Sequence, residues 1–127
     1  MPTRAPYSYA VLRVVPRVER QEFVNVGIIL YCQAEKFLAV TFDDGLARVR
    51  AFGADLDLDE LKKHLEGIRQ VCEGKELSAA LSKLSLAERF DWLVAPKSTT
   101  IQTSPVHSGL CTSPHQEIQD LFEKLVR

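Results

Sequence analysis

The sequence predicts an α+β fold in which a single, mainly antiparallel sheet packs against helices and a capped helix closes the chain. Three observations predict it. Strand-type runs rich in aromatic and β-branched residues fill the beginning. Apolar residues at helical spacing dominate the middle. The end combines one more β-compatible stretch with a well-marked amphipathic helix. Strands first, then helices, then a strand and a helix is the order of a sheet covered on at least one face.

The first strand is predicted over Tyr7 to Val15 (YSYAVLRVV), stopped by Pro16, which has no N–H for a ladder. Both of its alternating faces are mostly apolar, so it belongs inside the sheet with both faces covered. Phe23 to Cys32 (FVNVGIILYC) repeats the signature, with Gly27 marking a bulge or a close backbone approach. Phe37 to Phe42 follows after the four-residue gap Gln33-Ala34-Glu35-Lys36, which suits an antiparallel hairpin. Asp43-Asp44-Gly45 then supplies turn chemistry.

From Leu58, the positions Leu61, Leu65, Ile68 and Cys72 lay one apolar stripe along a helix. Asp57 with Glu60 reads as a capping box, and Gly74 as the stop. A shorter helix is expected to carry Leu77, Leu81 and Leu84. Another opens on the capping box Ser85-Leu86-Ala87-Glu88, carries Phe90, Trp92 and Leu93, and halts before Pro96. Thr99 to Thr103 is β-compatible, and Ser104 to Gly109 reads as a loop. In the last helix Ser113 is the cap, Pro114 takes the first position, and Gln116 completes the box. Ile118, Leu121, Phe122, Leu125 and Val126 form its apolar face.

Length and composition bound the function. A chain of 127 residues suits one domain, residues 1–127, able to bury about two-thirds of its unfolded surface. Hydrophobic and charged fractions of 46% and 26% are those of an ordinary globular protein. Sixteen Lys and Arg against seventeen Asp and Glu leave a net charge of -1, too little to recruit nucleic acid or a membrane surface. The longest apolar stretch, Val26 to Cys32, is far short of the roughly 20 residues that span a bilayer. No secretory leader is recognisable in Met1 to Pro6, and Cys32, Cys72 and Cys111 form an odd, widely spaced set. A reduced, cytoplasmic setting is expected, with no cofactor.

Strong catalytic motifs are missing: there is no phosphate-binding glycine loop, no HExxH, no GxSxG and no CxxC. His107, Cys111 and His115 have ligand-type side chains, but Gly109, Pro114 and the Ser113 cap break the helical face their spacing would need. Ser104 or Ser108 with His107 lacks any group to orient the imidazole. The hydroxyl-dense run Ser98 to Ser113 (STTIQTSPVHSGLCTS) reads either as an anion or peptide site or as a strand and loop whose hydroxyls serve their own backbone. Arg13 sits in an otherwise apolar strand and calls for a partner; an internal ion pair, with Glu22 or an acid from the helices, is the favoured account. Asn25, between Val24 and Val26, is a satisfied structural amide or a pocket-lining one. Trp92, beside Arg89, is a partner-facing hot spot or a core residue, and core is the commoner fate. The acidic run Asp55-Asp57-Asp59-Glu60 is accounted for by the helix dipole.

Two stretches, YSYAVLRVVPRVERQEFVNVGIILYC and LAERFDWLVAPKSTTIQTSPVHSGLCTSP, resemble the bacterial family called domain of unknown function 3037. The resemblance runs from Tyr7 to the C-terminal helix. It brings no catalytic residues with it. It implies recurrent polar positions at Arg13, Asn25, Arg89, Trp92, Ser98, Ser104 and His107, and, through a frequent gene neighbour, a HipA-like kinase as protein partner. The expected function is a non-catalytic binding or regulatory module. The alternative is an anionic-ligand domain or enzyme with a polar pocket around Ser104 and His107.

Overall fold

In the computed structural model, residues 3–51, 56–75, 77–96 and 99–127 are described. The elements run β1 (Ala5–Val14), β2 (Val24–Cys32), β3 (Phe37–Phe42), α1 (Ala47–Ala51), α2 (Leu58–Glu73), α3 (Ala79–Ser82), α4 (Leu86–Val94), β4 (Ile101–Thr103), β5 (His107–Cys111) and α5 (Pro114–Leu125). A short 3-10 turn, Val18–Arg20, joins β1 to β2. The architecture is α+β: five strands make one open sheet in the order β3-β2-β1-β4, with β5 also on β1, and every pairing is antiparallel. Ser8 and Tyr9 pair with both β2 and β5, so β5 lies on the edge of β1 away from β2.

Alternation along β1 and β2 sends side chains to two separate cores. Leu12, Val14, Val26 and Ile29 face Leu61, Leu65, Ile68, Phe90 and Leu93 of α2 and α4. Val11, Ile28, Leu30 and Cys32 face Ile118, Leu121 and Phe122 of α5. The two central strands are therefore covered above and below, as their two-sided apolar pattern requires. The register slips between Leu12↔Gly27 and Arg13↔Asn25, leaving Val26 as the extra residue of a bulge. Gly27 itself is the close approach: a Cβ there would meet the Thr41 carbonyl oxygen of β3 at 2.5 Å.

Caps hold the helices where the sequence places them, with two differences. Asp57 accepts from the Glu60 amide, but the Glu60 carboxylate lies toward Lys63 rather than back on the cap. Ser113 accepts from the Gln116 amide, while the Gln116 side chain donates to Asp120, so half of that box is also unmade. The Ser85–Glu88 box is complete. The short helix α3 spans only Ala79–Ser82, with Leu77 and Leu84 flanking it.

Two elements depart from expectation. His107 to Gly109 are not loop but part of β5, because Tyr9, Ser8 and Tyr7 pair with them in turn. Helix α1 is unannounced by periodicity; it follows Leu46, fully buried in a left-handed conformation at φ 51°, and buries Val49. Asp55 and Ser98 lie outside the described residues. All three cysteines are unpaired and buried, and among the described residues no helix is long and apolar enough to cross a membrane.

Candidate functional site

The side chains singled out by the sequence separate into three environments. Ser104 is the most committed. Between Thr103, opposite Leu12, and His107, opposite Tyr9, three residues stand against two of β1, so the edge ribbon bulges at Ser104-Pro105-Val106. The Ser104 hydroxyl accepts from the Val11 N–H at 2.8 Å and donates to the Pro105 carbonyl at 2.9 Å, and its amide donates to the Val11 carbonyl. It replaces the ladder partners that the bulge removes, and it is only 4% exposed. Ser104→Ala would leave the buried Val11 N–H without an acceptor. A loss of about 1–3 kcal/mol is expected, read as a lower urea midpoint at unchanged slope.

His107 opposes Tyr9 across the ladder, with ring centroids 5.3 Å apart, and stays exposed. Tyr7 lies over Gly109, where a Cβ would come within 2.7 Å of the phenol oxygen, and donates to Glu117 of α5 at 3.0 Å. Burial, reinforced by that carboxylate, pushes the Tyr7 phenol up to about 12. Cys111 is buried in the α5-side core and His115 packs edge-on to Phe37, so the trio with His107 does not converge; among the described residues no group of metal-ligating side chains is gathered.

Arg89 and Trp92 share α4 but not a role. Arg89 donates to the Val71 carbonyl at 2.8 Å in the last turn of α2, where Gly74 and Lys75 have both turned to the Gln70 carbonyl. A cation at that C-terminus satisfies an orphan acceptor and the helix dipole together. Burial raises the neighbouring Cys72 thiol to about 12 in spite of the Arg89 charge. Trp92, for which a core position is the commoner fate, is instead 46% exposed.

The third environment is at the start of β2. Arg13 and Asn25 are cross-strand partners there. Among the described residues the ion pair expected for Arg13 is not formed: Glu22 is taken by Arg20, and the Arg13 guanidinium stacks on Phe23, 3.9 Å from the ring centroid. Burial lowers its affinity for a proton, and its Nε is hidden without a partner. Asn25 donates to the Leu125 carbonyl at 3.1 Å, which fixes its amide orientation and leaves the buried Oδ1 unpartnered. Arg48 donates to the Val126 carbonyl at 2.6 Å. Phe23, Val24, Asn25, Arg48 and Ala51 line an open depression of about 400 Å³.

A family model described as a protein of unknown function, domain of unknown function 3037, matches residues 9–126. The chain belongs to that family. The match takes in all three environments and nearly every element of the fold. No curated protein and no solved structure matches the chain.

Within this family member, sequence reasoning picks out Arg13 and Asn25 but not Phe23 and Arg48. Phe23 reads as the first residue of a buried strand, yet it precedes β2 and is 45% exposed. Arg48 lies in α1, whose ARVRA sequence has no apolar period to announce it.

Proposed function

We propose that the protein is a non-catalytic binding module, an accessory or regulatory subunit working in the cytoplasm, with a HipA-like kinase as its protein partner. The observation that carries this reading is the outer edge of the sheet. Among the described residues β5 pairs with β1 alone, and Leu110 on it is 60% exposed. Open strand edges accept an added strand from a partner, main chain giving affinity and side chains giving selectivity. Trp92 on α4, 46% exposed, adds a side-chain type on which protein interfaces concentrate their energy, and Val106 in the bulge, equally exposed, adds apolar surface. The three unpaired cysteines suit a reducing compartment.

Co-expression with the kinase-like gene neighbour followed by size-exclusion chromatography tests the reading. A single co-eluting peak at micromolar concentration is expected, and two separate peaks count against it. Trp92→Ala should weaken the complex by about 2 kcal/mol. Because the side chain is half exposed, the same change should cost less than about 1 kcal/mol of stability in a melting experiment. The pocket alternative draws less from the geometry. The depression beside Ser104, about 380 Å³, is lined by Val94, Gln102, Thr103 and Val106 among others, without His107, and the Ser104 hydroxyl is already committed.

A further inference from the structure

We propose that the depression between the start of β2 and the end of α5 binds an oxyanion carried on a small apolar body, with Arg13 and Arg48 supplying the cationic contacts. This site is separate from the sheet edge and does not depend on the binding-module reading.

Charge makes the first argument. The Arg13 side chain forms no ion pair or hydrogen bond with any described residue; its guanidinium stacks on the face of Phe23. A guanidinium stacked on an aromatic face does not use its in-plane N–H donors in that contact, and such a fork matches a carboxylate or phosphate, although Nε of Arg13 is itself hidden. Arg48 spends Nη1 on the Val126 carbonyl and has no acid partner among the described residues. Among the described residues, Glu22 is engaged with Arg20, Asp44 lies near Arg69, and Glu123 pairs with Arg127. Arg48 and Asn25 also cap the carbonyls at the α5 C-terminus, so part of the Arg48 charge answers the helix dipole.

Shape makes the second. Phe23, Val24 and Ala51 give the depression apolar walls, and its volume of about 400 Å³ falls in the range of small-molecule sites. Phe23 links the two: it lines the depression, and Arg13, which does not line it, stacks its guanidinium on the Phe23 ring. The third argument is unfilled hydrogen bonding. Arg13 Nε, a donor, and Asn25 Oδ1, an acceptor, are both hidden and unpartnered on opposed residues of the same ladder. Native folds seldom leave such atoms without a bound group or water to serve them.

The test is a titration of the isotopically labelled chain, followed by NMR, with phenyl phosphate, phenylacetate and, as the neutral control, phenol. Saturable shifts confined to Phe23, Asn25 and their neighbours are expected with at least one anion and not with phenol. A response to phenyl phosphate alone assigns a phosphate ligand, and one to phenylacetate alone a carboxylate. Arg13→Gln should raise the dissociation constant about tenfold, the loss of one charge-assisted contact. Arg13→Lys keeps the charge without the planar fork, so it should bind more weakly than the parent chain but more tightly than Arg13→Gln; it also serves if the glutamine variant does not fold. No saturable shift with either anion, or shifts unchanged in Arg13→Gln, would overturn the proposal.

Discussion

Gly27→Ala should destabilise the protein by about 3 kcal/mol, one of the largest effects of any single added methyl group in this sheet. The position is in the middle of β2, opposite Phe42 of β3 and directly after the Val26 bulge. A Cβ would stand 2.5 Å from the Thr41 carbonyl oxygen and 2.9 Å from the Phe42 Cβ. Neither obstacle is the far end of a flexible side chain. Relief requires β2 and β3 to separate, which breaks ladder bonds at that end of their pairing. Urea unfolding checks the value; a variant with a midpoint within error of the parent chain would show that the bulge does not press the two strands together.

Phe122→Ala should cost about 3–5 kcal/mol, the range for emptying a buried aromatic site. Phe122 lies in the core formed by α5 with Val11, Ile28 and Leu30, the smaller of the two apolar clusters. That face of the sheet is covered by one helix, so few neighbouring side chains can collapse into the space left behind. The opposite face has α1, α2 and α4 on it, and a comparable truncation there meets more neighbours able to move. Thermal and urea unfolding should report the same loss, and a drop below about 1 kcal/mol would mean that α5 is loosely docked.

Much of this architecture is legible in the residues. The two-sided apolar pattern of β1 and β2 marks them as interior strands, and the short polar gap before Phe37 marks the hairpin. Helices α2, α4 and α5 announce themselves through apolar stripes and caps, because both signals are local. What the sequence hides depends on contacts distant along the chain. His107-Ser108-Gly109 has poor strand propensity and follows Pro105, yet the bulge removes Pro105 from the ladder and the Tyr7 ring fits only over a glycine. Helix α1 is too short to show a period.

The candidate residues divide along the same line. Ser104 looks like a free hydroxyl in a polar run, but only the register of the edge ribbon shows that it repairs the Val11 ladder bond. Arg89 is read beside Trp92 because the two are close in sequence; the end of α2, which Arg89 serves, is supplied by the fold. Arg13 invites an acid partner on general grounds, and the structure answers with Phe23 instead. That substitution of an aromatic face for a carboxylate leaves Arg13 without an acid partner among the described residues.

Amide hydrogen exchange on the isolated chain tests most directly whether β1 and β2 are sealed between two cores while the β5 edge stands open. The amides of β1 and β2 should exchange only through global unfolding, and alternate amides of β5, those turned away from β1, should exchange orders of magnitude faster. Uniform protection across β5 matching that of β1, or rapid exchange along β1 or β2, would contradict it.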